Sequence, residues 1–237
     1  MFAIYKKELR SYFTTPIGYV FFTVFLAIAA VLCCFTTIKT DSPTTNVSTY
    51  FTALLFVLVV IVPLLTMKLF AEEKKMRTEQ LLLTAPVSIT SMVCAKFFAA
   101  LTLYAAALLL TTFNVVPLFI FADPELGIII GNYVAIFLVG AAFIAIGVFM
   151  SSLTENQLAA AVSTTAVLLA LLAVSFANAA IDSYAIRFIL SWISIYSRYG
   201  AFTYGIFDYV AVLYYVSICF VFCYLTVRIY EQRRWKS

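Results

Sequence analysis

The chain has 237 residues, of which 65% are hydrophobic and only 11% are charged, and its mean hydropathy is +1.06. Soluble domains carry about 25% charged residues, so this composition excludes a soluble globular protein and predicts a single membrane domain over residues 1–237. The net charge of +4 is divided among short loops, which argues against a nucleic-acid partner. Histidine is absent and the five cysteines lack metal-ligand spacing, so we expect no metal site.

Residues 1–16 predict a short amphipathic helix. Its apolar positions are Phe2, Tyr5, Leu9 and Phe13, and its charged positions are Lys6, Lys7, Glu8 and Arg10. Helices with this pattern lie in the plane of the membrane interface. The same basic residues would also serve as a positive anchor beside the first span.

Six uncharged runs are long enough to cross a bilayer. A helix needs about 20 apolar residues to span roughly 30 Å of hydrocarbon. The runs are 17–38, 51–67, 97–121, 127–150, 158–177 and 209–227. Because every backbone amide must be hydrogen-bonded within lipid, and because the runs are rich in alanine and leucine, we predict an all-α polytopic membrane protein with six transmembrane helices.

The segment that follows the second span, 70–87, predicts a charged helix that ends at a proline. Glu73 with Arg77 and Lys75 with Glu79 are opposite charges four residues apart, which favours a helix. Such a helix, held against the membrane, would offer a rigid contact to a cytoplasmic protein. A solvated loop is the alternative interpretation.

A polar turn without lysine or arginine, 151–157, joins the fourth and fifth spans. Thr154 and Gln157 resemble a capping box at the start of the fifth helix. The fifth span then carries small residues at intervals of four, which would let another helix approach closely, within the chain or in a second subunit. The candidate interface positions are Ala159, Ser163 and Val167.

A seventh apolar segment, 178–208, is too interrupted to be a span. Its longest uncharged stretch has only ten residues, 188–197, between Arg187 and Arg198. Ten helical residues reach about half of the hydrocarbon thickness. We therefore expect a short extracellular re-entrant helical hairpin, with helical spacing at 186–193.

The distribution of basic residues predicts the orientation. With six spans, both termini lie on the same side, and twelve lysines and arginines would be cytoplasmic against three outside. The twelve are Lys6, Lys7, Arg10, Lys68, Lys74, Lys75, Arg77, Lys96, Arg228, Arg233, Arg234 and Lys236, and the three are Lys39, Arg187 and Arg198. We therefore expect both termini in the cytoplasm.

Several functional classes lack their residues in this sequence. None of the seven glycines is followed by lysine, so we expect no phosphate-binding loop and no ATP hydrolysis in this chain. The centres of the six predicted spans lack ionisable residues, which argues against a proton-coupled carrier. An enzymatic role is the least supported class.

Four polar stretches, taken in order, resemble the permease subunits of ABC type-2 transporters, and most of all the gliding-motility-associated subgroup. The stretches are 5–13 with Pro16 and Tyr19, 72–88 with Lys96 and Phe97, 151–157, and 233–235. One difference is that family members often have Gly-Thr-Leu-Glu where this chain has Arg-Thr-Glu-Gln at 77–80.

The resemblance implies an elbow helix at 1–16, a cytoplasmic coupling helix and loop at 72–90, and an extracellular hairpin at 178–208. It also implies a location in the bacterial inner membrane and assembly with a cytoplasmic ABC ATPase dimer, which would bind ATP and magnesium. A second permease chain, identical or homologous, would complete the transporter, and an extracytoplasmic accessory subunit is a further candidate partner.

The hypothesis that follows is a permease whose ATPase docks on the coupling helix. The candidate coupling residues are Glu72, Glu73, Lys74, Arg77, Thr78, Glu79, Gln80, Leu81 and Leu82. A second cytoplasmic contact would use Ser152, Thr154, Glu155, Asn156 and Gln157. The uncharged spans favour export of an amphiphilic or lipid-like substrate. The alternatives are a non-transporting scaffold that passes ATPase work to extracytoplasmic partners and, third, a secondary carrier.

Overall fold

The computed structural model describes residues 1–38, 47–78, 88–116, 119, 125–180, 194–203, 205 and 208–236. Within these ranges the chain forms helices and turns and contains no β-strand. The predicted all-α class is therefore confirmed for the described part of the chain.

Nine α-helices are described, and we number them in chain order. They are α1 (Phe2–Thr14), α2 (Pro16–Cys33), α3 (Val47–Thr66), α4 (Lys68–Lys75), α5 (Ile89–Leu110), α6 (Leu126–Leu153), α7 (Gln157–Ala180), α8 (Ile195–Thr203) and α9 (Tyr209–Lys236). A π-helical turn, Cys34–Ile38, follows α2, and a 3₁₀ turn, Thr111–Val115, follows α5.

The six predicted spans are confirmed as helices long and apolar enough to cross a membrane. They are Pro16–Thr36, Val47–Lys75, Ile89–Val115, Leu126–Leu153, Gln157–Asn178 and Tyr209–Arg234. Because successive spans alternate in direction, the start of α2, the end of α3, the start of α5, the end of α6, the start of α7 and the end of α9 share one side. We call this side, which also carries α1 and α4, the α4 end.

Two of the predicted boundaries differ from the structure by eight residues, the largest differences among the six spans. The third span begins at Ile89, eight residues before the predicted start, because Lys96 lies inside helix α5 with no exposed surface. The second span continues past its predicted end through α4, with only one turn residue, Met67, between the two helices. Charge marked the predicted ends, but at both places the charged side chains have partners within the chain.

Helix α6 is the centre of the bundle, because it packs against α3, α4, α5, α7, α8 and α9. In its most apolar window 72% of the residues are buried, against 28% for α2 and for α7 and 22% for α9, so these three helices line the outside. Glycines of α6 allow α5 and α3 to approach it closely. A Cβ added to Gly140 would overlap the ring of Tyr104 of α5, and one added to Gly147 would overlap the side chain of Thr66 of α3.

Of the predicted hairpin 178–208, residues 178–180 belong to the end of α7 and residues 195–203 form helix α8, while the expected helical stretch 186–193 lies outside the described residues. The hydroxyl of Tyr199 donates to Asn132 Oδ1 at 2.9 Å, and both side chains are buried. Asn132 Nδ2 in turn donates to the carbonyl oxygen of Ile128 at 2.8 Å. This polar contact joins α8 to α6 at the side opposite the α4 end.

Replacement of Gly140 by alanine tests the packing of α6. The new methyl group would overlap the buried Tyr104 ring, so we expect a loss of about 1–3 kcal/mol in the free energy of unfolding. The measurement is the melting temperature of the purified chain in detergent. Gly127→Ala is the matched control on the same helix, because a Cβ there meets no atom within 4 Å. Equal melting temperatures for the two variants would contradict this packing.

Candidate functional site

A buried lysine joins three helices at the α4 end. Lys96 of α5 has no exposed surface, and its Nζ lies 3.0 Å from Glu8 Oε1 of α1 and 2.9 Å from Glu73 Oε2 of α4. The same ammonium group donates to the carbonyl oxygen of Leu69 at 2.7 Å. These contacts use all three protons of the ammonium group. We call Glu8, Glu73 and Lys96 the charge triad.

A second lysine balances the charge of the triad from the solvent side. Two carboxylates around one ammonium group leave one negative charge, and Lys7 Nζ lies 3.5 Å from Glu73 Oε1 and 3.9 Å from Glu8 Oε1. The Lys7 side chain is 62% exposed, whereas the two glutamate side chains are 9% and 14% exposed. The ring of Phe70 lies 5.0 Å from Lys96 Nζ, a cation–π contact on the remaining side.

The C-terminal end of α1 is fastened to α3 and α4 by two further contacts. Lys68 Nζ donates to Thr15 Oγ1 at 2.8 Å and to the carbonyl oxygen of Ser11 at 3.3 Å. The hydroxyl of Tyr12 donates to the carbonyl oxygen of Leu65 at 2.8 Å. Burial and the nearby carboxylates of Glu8 and Glu72 raise the pKa of this phenol well above its usual value, so it keeps the proton that it donates.

The first turn of α4 is held by a hydroxyl group from α6. Ser151 Oγ accepts hydrogen bonds from the backbone N–H groups of Phe70 and Ala71, at 3.1 and 3.2 Å, and donates to the carbonyl oxygen of Met67 at 3.3 Å. Backbone N–H groups in the first turn of a helix have no partner within that helix. Ser151 thus supplies the cap from another span.

A lysine of α4 contacts the end of α6 directly. Lys74, which is buried, donates from Nζ to the carbonyl oxygen of Ser152. The carbonyl groups at the C-terminus of a helix carry partial negative charge, so an ammonium group is favourable there. In addition, the ring of Phe70 packs 4.9 Å from that of Tyr230, which links α4 to α9.

The predicted helix of the 70–87 segment ends earlier than expected. Helix α4 stops at Lys75, and Arg77 takes a left-handed backbone conformation with φ of 55°. The amide of Thr78 then donates to the carbonyl oxygen of Glu73 at 3.0 Å, which closes the helix end. The expected Glu73–Arg77 pairing is therefore wrong, since the Glu73 carboxylate contacts Lys96 and Lys7.

The candidate coupling residues consequently separate into two groups. Glu73 and Lys74 point into the chain, whereas Arg77 and Thr78 are exposed and Glu72 is half-exposed. The remaining four candidates, Glu79, Gln80, Leu81 and Leu82, lie outside the described residues, as does the expected Lys75–Glu79 pairing.

The predicted cap of the fifth span is also corrected. Helix α7 begins at Gln157, and its capping residue is Asn156, whose Oδ1 accepts from the amide of Leu158 at 3.0 Å. The hydroxyl of Thr154, the predicted cap, is buried without a hydrogen-bond partner in the described structure. Among the other candidates for a second contact, Glu155 is exposed and Ser152 is buried.

Helix α1 has three distinct faces. Glu8 and Tyr12 face the bundle and are buried, Phe2 and Phe13 are 76% and 41% exposed, and Lys6 and Arg10 are exposed on the third side, as is Lys7 next to the triad. Sequence periodicity found the apolar and the basic face. It missed the inward face, because a glutamate at that position does not look like a buried residue.

The candidate subunit interface lies only partly on the outer side of α7, because Val167 packs against the hydrophobic core. Ala159 is exposed, and Ser163 and Val167 are half-buried, while Ala160, Thr164 and Leu168 face the bundle. Sequence reasoning also missed Lys96 and Ser151 as functional candidates. The available signal for Lys96 was a lone lysine in an otherwise apolar stretch from 89 to 110.

Two comparisons bear on the identity of the chain. The family described as ABC-2 family transporter protein matches residues 35–230, well over half of the sequence. No curated protein matches the chain.

Removal of the triad lysine should destabilise the protein strongly. Lys96→Met leaves two carboxylates with little exposed surface beside each other, and we expect a loss of about 3–5 kcal/mol in the free energy of unfolding. Lys7→Met, at the 62% exposed partner, should cost no more than about 1 kcal/mol. Adding Glu8→Gln and Glu73→Gln to Lys96→Met should recover part of the loss. Thermal unfolding in detergent measures all three, and a Lys96→Met protein as stable as Lys7→Met would refute the burial of this charge.

Loss of the Ser151 hydroxyl should loosen α4. Ser151→Ala leaves two buried backbone N–H groups, those of Phe70 and Ala71, without an acceptor, at a cost of about 1–3 kcal/mol. Hydrogen exchange of the α4 amides should therefore speed up. The control is Ser217→Ala, because the Ser217 hydroxyl bonds only to the carbonyl oxygen of Leu213 in its own helix. Unchanged exchange in α4 would show that the Ser151 hydroxyl does not hold the first turn of this helix.

Proposed function

The chain belongs to the ABC-2 family of transporter membrane proteins, and from this premise we propose that it is a permease subunit driven through α4 by a separate cytoplasmic ABC ATPase. ATP and magnesium would bind in that partner, and the chain itself would catalyse no reaction. The observation that carries the proposal is the set of contacts that α4 makes with its neighbours.

Helix α4 is bound to four other helices through side chains that are mostly buried. Glu73 reaches α5 through Lys96, and the shared Lys96 connects both to Glu8 of α1. The backbone of α4 and its Lys74 side chain contact the end of α6, and the ring of Phe70 contacts α9. Since breaking these contacts would leave buried polar groups unpaired, a force applied to α4 moves these helix ends together.

The ATPase would bind the exposed C-terminal end of α4. Its contacts would be Glu72, Arg77 and Thr78, continued by Glu79, Gln80, Leu81 and Leu82. Glu73 and Lys74 have a different role in this proposal: they transmit displacement to the bundle because Glu73 is ion-paired with Lys96 and Lys74 is hydrogen-bonded to the Ser152 carbonyl oxygen. The left-handed turn at Arg77 presents its side chain beyond the helix end.

A second contact would form beside the first, at the turn between α6 and α7. Glu155 and Asn156 are exposed there, Thr154 and Gln157 are half-buried, and Ser152 supplies the carbonyl oxygen that Lys74 binds. An ATPase subunit that contacts both the end of α4 and the turn between α6 and α7 would fix the position of α4 relative to the end of α6. ATP binding changes the transport equilibrium only if the ATPase binds the two permease conformations with different affinities.

We assign the α4 end to the cytoplasm and both termini to that side, in a bacterial inner membrane. The support is the excess of lysine and arginine in the segments at this end. Helix α1 would then lie in the cytoplasmic leaflet interface as an elbow helix, with Phe2 and Phe13 toward the acyl chains and Lys6 and Arg10 toward the headgroups.

A second permease chain, identical or homologous, would pack on α7. Ala159 is exposed and Ser163 and Val167 are half-buried, and their neighbours Leu158 and Val162 are 72% and 69% exposed. Small residues at this spacing allow two helices to approach closely. The exposed apolar side chains of α7 would be buried in the contact with the second chain.

For the cargo we propose an amphiphilic or lipid-like compound that is exported. The support is the apolar lining of the spans, which offers no ionisable residue in the middle of any of them. The four polar stretches also support membership of the gliding-motility-associated subgroup, in which an extracytoplasmic accessory subunit would be a further partner.

The docking proposal is tested by removing charge from the exposed end of α4. Arg77→Asn keeps a residue that tolerates the left-handed conformation, and Glu72→Gln keeps the side-chain volume. In the double variant we expect at least a tenfold loss of the ABC ATPase that co-purifies with the affinity-tagged chain from its native membrane, because two contacts worth about 1 kcal/mol each are removed.

Lys6→Gln is the matched control, since it removes an exposed charge from the same side of the membrane without touching α4. It should leave both ATPase recovery and ATP hydrolysis unchanged. Full recovery of the ATPase with the double variant would contradict docking at this end of α4.

A further inference from the structure

A basic cleft lies at the α4 end between the start of α5 and the end of α9, away from the charge triad. It has a volume of about 800 Å³ and is lined by Ser88, Ile89, Thr90, Arg228, Glu231 and Arg234. Two arginines face one glutamate here, so the lining carries a net positive charge. The shape and charge fit an anion larger than a single inorganic ion.

The cleft continues into an apolar groove along the membrane-facing surface. The groove, about 370 Å³ in volume, shares Thr90, Arg228 and Glu231 with the cleft, and its other lining residues are Cys94, Phe220, Cys223, Tyr224 and Val227. From Arg228 to Phe220 the helix rises about 12 Å toward the membrane centre. A charged opening followed by an apolar channel of this length matches a headgroup and the first part of an acyl chain.

The arginine at the junction is held in place by its own helix. Arg228 Nε donates to the Tyr224 hydroxyl at 2.7 Å, and its Nη1 donates to Glu231 Oε2 at 3.3 Å. These contacts orient the guanidinium plane at the mouth of the groove. Bidentate geometry makes an oriented guanidinium well suited to phosphate oxygens.

The start of α5 adds a weaker attraction for the same charge. Ser88, its N-cap residue, makes no side-chain capping hydrogen bond, and its hydroxyl instead contacts Ser91 Oγ at 2.8 Å. The N-terminus of a 22-residue helix carries partial positive charge. The two arginines and this helix end therefore act on one position from opposite walls of the cleft.

From these observations we infer that the cleft and groove bind one anionic phospholipid from the leaflet at the α4 end. The phosphate contacts the guanidinium groups of Arg228 and Arg234, and an acyl chain occupies the groove between α5 and α9.

The experiment measures lipid retention by native mass spectrometry on the full chain in detergent, with dioleoylphosphatidylglycerol as the probe and dioleoylphosphatidylcholine as the competitor. Arg228→Gln combined with Arg234→Gln should weaken retention of phosphatidylglycerol about thirtyfold, the effect of removing two arginines from one phosphate. Phosphatidylcholine should compete poorly.

A groove variant and a surface variant separate the specific site from general attraction. Cys94→Phe fills the groove without changing charge and should also weaken retention, because the acyl chain loses its place. Arg10→Gln removes an exposed charge on α1 at the same membrane surface and should have no effect. An equal loss with Arg10→Gln would overturn the proposal in favour of diffuse surface attraction.

Two further readings complete the test. Glycerol 3-phosphate that displaces the lipid as well as phosphatidylglycerol itself does would overturn the acyl-chain part, and with it the lipid assignment. The melting temperature of each variant, taken without added lipid, shows whether it is folded. Loss of retention in folded variants supports the site, and unchanged retention in the folded double-arginine variant refutes it.

Discussion

The ammonium group of Lys96 is buried beside the carboxylates of Glu8 and Glu73, and the cost of leaving any of these charges unpaired holds α1, α4 and α5 together. Well-packed apolar residues often stabilise a fold as much as a buried ion pair does, because desolvation offsets much of the Coulomb attraction. The ionic arrangement does add direction: the three donors of the lysine are met by Glu8 of α1 and by Glu73 and the Leu69 carbonyl oxygen of α4.

Hydrogen bonding of the backbone sets the second constraint. At the junction of α3 and α4, the amides of Phe70 and Ala71 are buried away from water and need a hydrogen-bond acceptor. The hydroxyl of Ser151 of α6 is that acceptor. The two constraints meet on α4 from opposite sides. Helix α4 is thus joined both to α5, through Glu73 and Lys96, and to α6, through Ser151.

The other helices of the bundle are arranged around the central helix α6. Glycine contacts bring α3 and α5 close to the central helix α6, so that α2, α7 and α9 form the outer surface with broad apolar faces. In a membrane protein such faces need no water-soluble cover, and they are available to lipid or to another subunit. The cleft between α5 and α9 carries two arginines, Arg228 and Arg234, at its mouth.

The sequence by itself determined the number of spans, their approximate positions and the two amphipathic faces of α1, because length, hydropathy and helical period are local properties. Only the tertiary structure decided that Lys96 lies inside the third span, that α4 ends at Lys75, and that Asn156 replaces Thr154 as the cap of α7. The reason is separation: Lys96 and Glu8 are 88 residues apart in the chain. A charge read locally marks a helix end, and its burial depends on a partner that no local pattern reveals.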